Sequence, residues 1–250
     1  MTRKIKNKGE VLAWSMYDFA NQPFSTLVVT FIYGTFFTTV ISENEIIGTK
    51  QWSYAVSFSA IVVAILSPLM GALADRGGYR KLFLIFFTYI TIIFTILLYF
   101  ILPGQVWQSL LCFSIANICF EMGGVFCNAY LPDISHSKNI GRISGYGWSL
   151  GYVGGLLSLA LALFLLVNTE NPIFNFGKNE LGNYENIRAT NLLVAVWFLI
   201  FSIPTFVLVK DRKPDTKSLL KNAKYTFKDY RKTAKEIRKY PQIIKFLLAR

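Results

Sequence analysis

The chain is poor in the residues that most protein chemistry needs. Its 250 residues include one histidine and three cysteines. Cys112, Cys119 and Cys127 all fall within one apolar segment, so neither a disulfide framework nor a metal site is expected, and the thiols read as packing residues. His136 lies in a polar connection and reads as a solvated loop residue. No nucleophile and base pair, metal-ligand cluster or phosphate-cradling loop stands at workable spacing, which argues against an enzyme and leaves no cofactor to expect. Acidic residues are also few, 14 against 26 basic, for a net charge of +12. The basic residues lie at the ends of apolar runs, so membrane topology accounts for them and no nucleic-acid partner is expected.

What the chain has in abundance is oil. It is 53% hydrophobic and 16% aromatic, with a mean hydropathy of +0.42, a composition that points to a bilayer. Arg3, Lys4, Lys6 and Lys8 precede an apolar stretch, as in a signal peptide. That stretch runs from Val11 to about Ile41 and carries Asp18, which makes it too long and too polar for a cleaved segment and marks it as a retained helix. About 20 apolar residues cross a hydrocarbon core as a helix, and six segments qualify: 11–41, 52–74, 82–102, 106–131, 144–167 and 189–209. None alternates strictly as a barrel strand does. The expected fold is an all-α polytopic bundle of six membrane helices over residues 1–209.

Charge sets the expected orientation. With the amino terminus in the cytoplasm, the inner side carries 23 of the 26 basic residues, and the outer connections carry only Lys50, Lys178 and Arg188, as the positive-inside tendency requires. Residues 210–240 combine a basic surface with an apolar stripe at Leu220, Ala223, Phe227, Tyr230, Ala234 and Ile237. This spacing predicts a basic amphipathic helix lying on anionic lipid headgroups as a cytoplasmic linker. From 241 to 250 the chain turns apolar again, and a seventh, incomplete membrane helix is expected to begin there.

The turn after the second segment reads Gly71-Ala72-Leu73-Ala74-Asp75-Arg76-Gly77-Gly78-Tyr79-Arg80-Lys81. Gly71 would let a neighbouring helix approach closely, and Gly78 would supply the freedom of a tight turn. Asp75, Arg76, Arg80 and Lys81 form a charged cluster able to latch a helix end in one conformation and release it in another. Within the membrane, two carboxylates stand out, because a charge there costs at least about 2.5 to 3.5 kcal/mol on insertion scales. Asp18 shares a helix face with Trp14, Asn21 and Ser25. Glu121 shares one with Ser114, Asn117, Gly124 and Asn128. Read functionally, Asp18, Asn21, Glu121 and Asn128 line a substrate or proton pathway; read structurally, they are interhelical bonds. Pro23, one turn past Asp18, predicts a kink that either frees carbonyls for coordination or merely packs. Gly147, Gly151, Gly154 and Gly155 read as a close-packing stripe.

The 71–81 turn resembles the loop signature of the major facilitator superfamily, with every defined position matched. Three further stretches, 14–21, 126–133 and 141–152, are similar to the vacuole-effluxer branch of that superfamily. The resemblance implies a secondary transporter moving a small polar solute by alternating access, with amino-acid efflux as the suggested activity and protons as the candidate coupling ion. It implies that the first and fourth helices line the central cavity, and it adds Asp133 and Arg142 to the latch. It further implies that these residues are an amino-terminal half whose carboxy-terminal six-helix half is the missing partner, beside the lipid bilayer and the solute, in a bacterial plasma membrane. A membrane-embedded binding or scaffold module without transport is the alternative.

Overall fold

The computed structural model describes residues 8–167 and 184–211. Among them, six helices are long and apolar enough to cross a membrane, and there is no strand: the protein is an all-α polytopic bundle. They are α1 (Lys8–Ile41), α2 (Glu45–Gly77), α3 (Arg80–Tyr99), α4 (Val106–Asn128), α5 (Ile140–Val167) and α6 (Glu185–Leu208). The expected linker helix over 210–240 and the apolar restart at 241–250 lie outside the described residues, apart from Lys210 and Asp211. Most of the connection between α5 and α6 lies outside them too.

Several helices run past the apolar segments that announce them, because hydropathy marks only the part matched to lipid. The second segment, expected from 52, begins at Glu45 behind an Asn44 cap whose side chain accepts the Ile47 N–H at 2.9 Å. Arg188, expected in an outer connection, lies inside α6 instead. It is 7% exposed, donates to the Tyr99 carbonyl at 2.7 Å and stacks over the Tyr99 ring. A cation placed on the last carbonyls of α3 suits the negative end of that helix.

α1 is the axis of the bundle and packs mainly on α5 and α6. Pro23 has no N–H to offer the Phe19 carbonyl one turn back. The indole Nε1 of Trp197 on α6 donates to that carbonyl at 3.0 Å, so the freed acceptor goes to packing and not to coordination. Beyond Pro23 the helix widens into π turns over Phe24–Phe31 and Phe37–Ile41, closed by bonds such as Ile32 N–H to Leu27 O at 2.9 Å.

The glycines of α5 make the tight fit to α1 possible. A methyl group on Gly154 would sit 2.5 Å from the Phe19 carbonyl oxygen, a backbone atom, so that position needs a residue without a side chain, whereas one on Gly155 would lie 2.8 Å from Thr26 Oγ1 and require that side chain to shift. Gly71 is the contrary case. A methyl group there meets nothing within 4 Å, so the close approach expected of it is not made among the described residues. Two apolar clusters fill the interior, one around Trp14, Tyr17, Met122, Phe126 and Phe198 and one around Phe24, Tyr33, Phe37, Leu98 and Phe113. Cys119 and Cys127 are buried and Cys112 half-buried, all as free thiols. His136 is exposed.

Candidate functional site

Four hydrogen bonds fix the rotation of α1 around Asp18. Trp14 Nε1 donates to the Cys127 carbonyl on α4 at 2.8 Å, and the Tyr17 and Thr88 hydroxyls pair at 2.7 Å. Thr205 Oγ1 donates to the Ala13 carbonyl at 2.6 Å, and Trp197 takes the Phe19 carbonyl. The flanking residues are thereby tied to α3, α4 and α6, and Asp18 is left facing between α4 and α5. The Gly147 and Gly151 faces of α5 receive it: a methyl group on Gly147 would run into Asp18 Oδ2 and come within 2.9 Å of the Trp14 ring, and one on Gly151 would lie 3.4 Å from Asp18 Cβ.

The result is a cavity of about 250 Å³. α1 contributes Asp18, Asn21 and Gln22, α4 contributes Phe120, Glu121, Gly124 and Asn128, and α5 contributes Trp148, Gly151 and Tyr152. All four residues expected on the pathway therefore line one space. Of the wider polar faces, Trp14 stands behind Asp18 as an anchor, while Ser25, Ser114 and Asn117 are not among the lining residues. Sequence reasoning missed the α5 wall. Trp148 and Tyr152 are one helical turn apart, a spacing that puts them on one face, but aromatic residues are common along membrane helices and did not single themselves out.

A second polar assembly closes the end of the bundle that holds the 71–81 turn. Gly78 takes a φ of 66° and stops α2, its N–H donating to the Ala74 carbonyl, in the left-handed conformation that glycine adopts freely. Arg80, 6% exposed, pairs with Asp133 at 2.7 Å and donates to the Ala129 carbonyl at the end of α4 at 3.2 Å. The Lys81 N–H donates to Asp211 at 3.1 Å and its Nζ to the Val209 carbonyl at 3.0 Å, and Lys210 N–H donates to Glu10 at 3.2 Å. The turn is thus bound to α4, to the chain after α6 and, through it, to α1. Arg142 is exposed and makes no hydrogen bond or ion pair among the described residues, so it stands apart from this network. The side chains of Asp75 and Arg76 lie outside the described residues. Among the described residues, no group of three His, Cys, Asp or Glu could hold a metal ion.

A bundle of six apolar helices with a polar cavity against its central helix is a multi-pass membrane protein. The chain belongs to the family described as vacuole effluxer Atg22 like, whose sequence profile matches residues 49–250. Among curated proteins it is 29% identical to a Bacillus subtilis protein named "Uncharacterized MFS-type transporter YxiO", over 95% of this chain and 55% of that protein. It is 28% identical to an Aquifex aeolicus protein over 84% of this chain and 48% of the relative, and 24% identical to autophagy-related protein 22 of Yarrowia lipolytica over 64% and 35%. The chain spans about half the length, or less, of the curated relatives it matches. No solved structure matches it significantly.

Proposed function

We propose that this chain forms one wall of a secondary transporter that carries a small polar solute across a membrane by alternating access. The observation that carries the reading is the meeting of Asp18 and Asn21 on α1 with Glu121 and Asn128 on α4 around a single cavity. Carboxylates in a membrane interior are costly unless water, a proton or a ligand serves them, and a solute path supplies all three. Amino-acid efflux is the activity to test first, on the strength of the family resemblance, with protons as the coupling ion exchanged at Asp18 or Glu121.

In this reading residues 1–209 are the bundle and 210–240 the basic linker, and the amino terminus faces the cytoplasm of a bacterial cell. The greater length of the relatives supports a second bundle that covers the cavity from the other side. The 71–81 turn then acts as a conformational latch: Arg80, Lys81 and Asp133 hold one state through the network at the bundle end, and Asp75 and Arg76 belong to the same device.

Solute flux in proteoliposomes holding the intact protein tests the reading. Asp18→Asn and Glu121→Gln should abolish flux or uncouple it from protons while yielding monodisperse protein. Unchanged flux and coupling in both variants would leave the cavity polar groups as packing elements only.

A further inference from the structure

We propose that the cavity recognises an organic ammonium group, so that the solute carried is an amine cation with an apolar body. The proposal rests on the transport reading in taking the cavity as the solute path, and it departs from the amino-acid suggestion, which rests on family resemblance alone. Two carboxylates, Asp18 and Glu121, face the space, and neither makes an ion pair among the described residues. No lysine, arginine or histidine is among the lining residues. The excess charge of the lining is therefore negative and open to a ligand, and a carboxylate carried by the solute would find no counter-charge among the lining residues.

The neutral part of the lining fits the same guest. Asn21 is 8% exposed, its side-chain amide lines the cavity, and it makes no hydrogen bond to another described residue. Its amide oxygen is an acceptor that an ammonium N–H can use without repulsion. Phe120 forms part of the wall on the α4 side. Trp148 and Tyr152, 65% and 60% exposed with ring centroids 6.1 Å apart, stand on the α5 side. Aromatic faces attract cations and cover apolar groups, tryptophan most strongly. The space is large enough for more than a bare ion: about 250 Å³ corresponds to roughly eight waters at ~30 Å³ each.

Four probes that share a phenyl ring and differ in head charge test the proposal on the intact protein in lipid nanodiscs: phenethylamine, 2-phenylethanol, phenylalanine and 3-phenylpropionate. Calorimetric titration should give phenethylammonium an affinity about tenfold or more above phenylethanol, with the zwitterion weaker than the amine and the anion weakest. Asp18→Asn and Glu121→Gln should each weaken amine binding by about tenfold, and Trp148→Leu by about threefold to tenfold with recovery in Trp148→Phe. Tightest binding by phenylalanine or phenylpropionate would overturn the proposal on the unaltered protein, whatever the folding of the variants. Robust solute flux that the amine does not inhibit also overturns it while leaving transport intact. Amine binding in this order without flux of any solute upholds the cation site and removes the transport reading.

Discussion

Gly154→Ala is the most direct probe of how α5 is held against the central helix. The added methyl group would lie 2.5 Å from the Phe19 carbonyl oxygen and 3.1 Å from Phe19 Cα, both backbone atoms that no rotamer change can move. The same carbonyl accepts the Trp197 indole N–H at 3.0 Å, so a shift that relieves the clash also stretches a bond to α6. Overpacking of this kind costs about 1 to 3 kcal/mol, and replacing glycine within a helix by alanine returns up to about 1 kcal/mol. A net loss of roughly 1 to 2 kcal/mol is expected, which for a protein of this size lowers the melting temperature by about 2 to 8 °C. Gly145→Ala supplies the control on the same helix, since a methyl group there meets nothing within 4 Å; it should leave stability unchanged or raise it. Thermal unfolding in one detergent, followed by intrinsic fluorescence, compares the three proteins. Equal melting temperatures for Gly154→Ala and Gly145→Ala would refute the reasoning, because helix propensity alone would then govern both.

Trp197→Phe should destabilise by about 0.5 to 1.5 kcal/mol through loss of the bond to the Phe19 carbonyl, and less in a Pro23→Ala background, where residue 23 regains an N–H for the same acceptor; additive effects in the double variant would argue against this pairing. Asp133→Ala removes the carboxylate paired at 2.7 Å with Arg80, which is 6% exposed, and should cost about 1 to 3 kcal/mol, whereas Arg142→Ala should be close to neutral; denaturant titration compares them. A single cysteine at position 175 in a cysteine-free background should react with a membrane-impermeant reagent only from outside the cell, and labelling from the cytoplasmic side alone would reverse the proposed orientation.

The membrane segments were legible because lipid imposes one length and one polarity on every helix, so the apolar runs at 11–41 and 82–102 could be read without knowing their neighbours. The α1 and α4 faces of the cavity were legible for a related reason: Asp18 and Glu121 are expensive in lipid, and period-3.6 spacing says which residues share their faces. Packing partners were not legible. Gly71 and Gly154 are the same residue in similar apolar surroundings, and only the structure distinguishes the one with open space from the one pressed on a carbonyl. Arg188 reads as part of a connection because a charge ends a hydropathy window, although its guanidinium is buried on the end of α3. Trp148 and Tyr152 escaped notice because an aromatic residue facing lipid and one facing a cavity leave the same trace in sequence.

Two sets of polar groups in the bundle stand in contrast. Trp14, Tyr17, Thr88, Trp197, Thr205, Arg80 and Arg188 all hold partners within the protein, and most of their bonds run between helices. Two arginines repeat one device, each donating to the carbonyls that end a helix and lying over a tyrosine ring, Arg80 at Tyr130 and Arg188 at Tyr99. Asp18, Asn21 and Glu121 line the cavity and hold no side-chain hydrogen bond or ion pair to the described residues. Open polar groups are not confined to the cavity, since Ser15 Oγ and the side-chain oxygens of Asn186 and Asn191 are buried without a partner among the described residues; what distinguishes the cavity is that two carboxylates share it. The first set ties α1 to α3, α4 and α6. The second set faces the cavity, and helices tied to one another beside a polar face open to a ligand suit the proposed alternating-access reading.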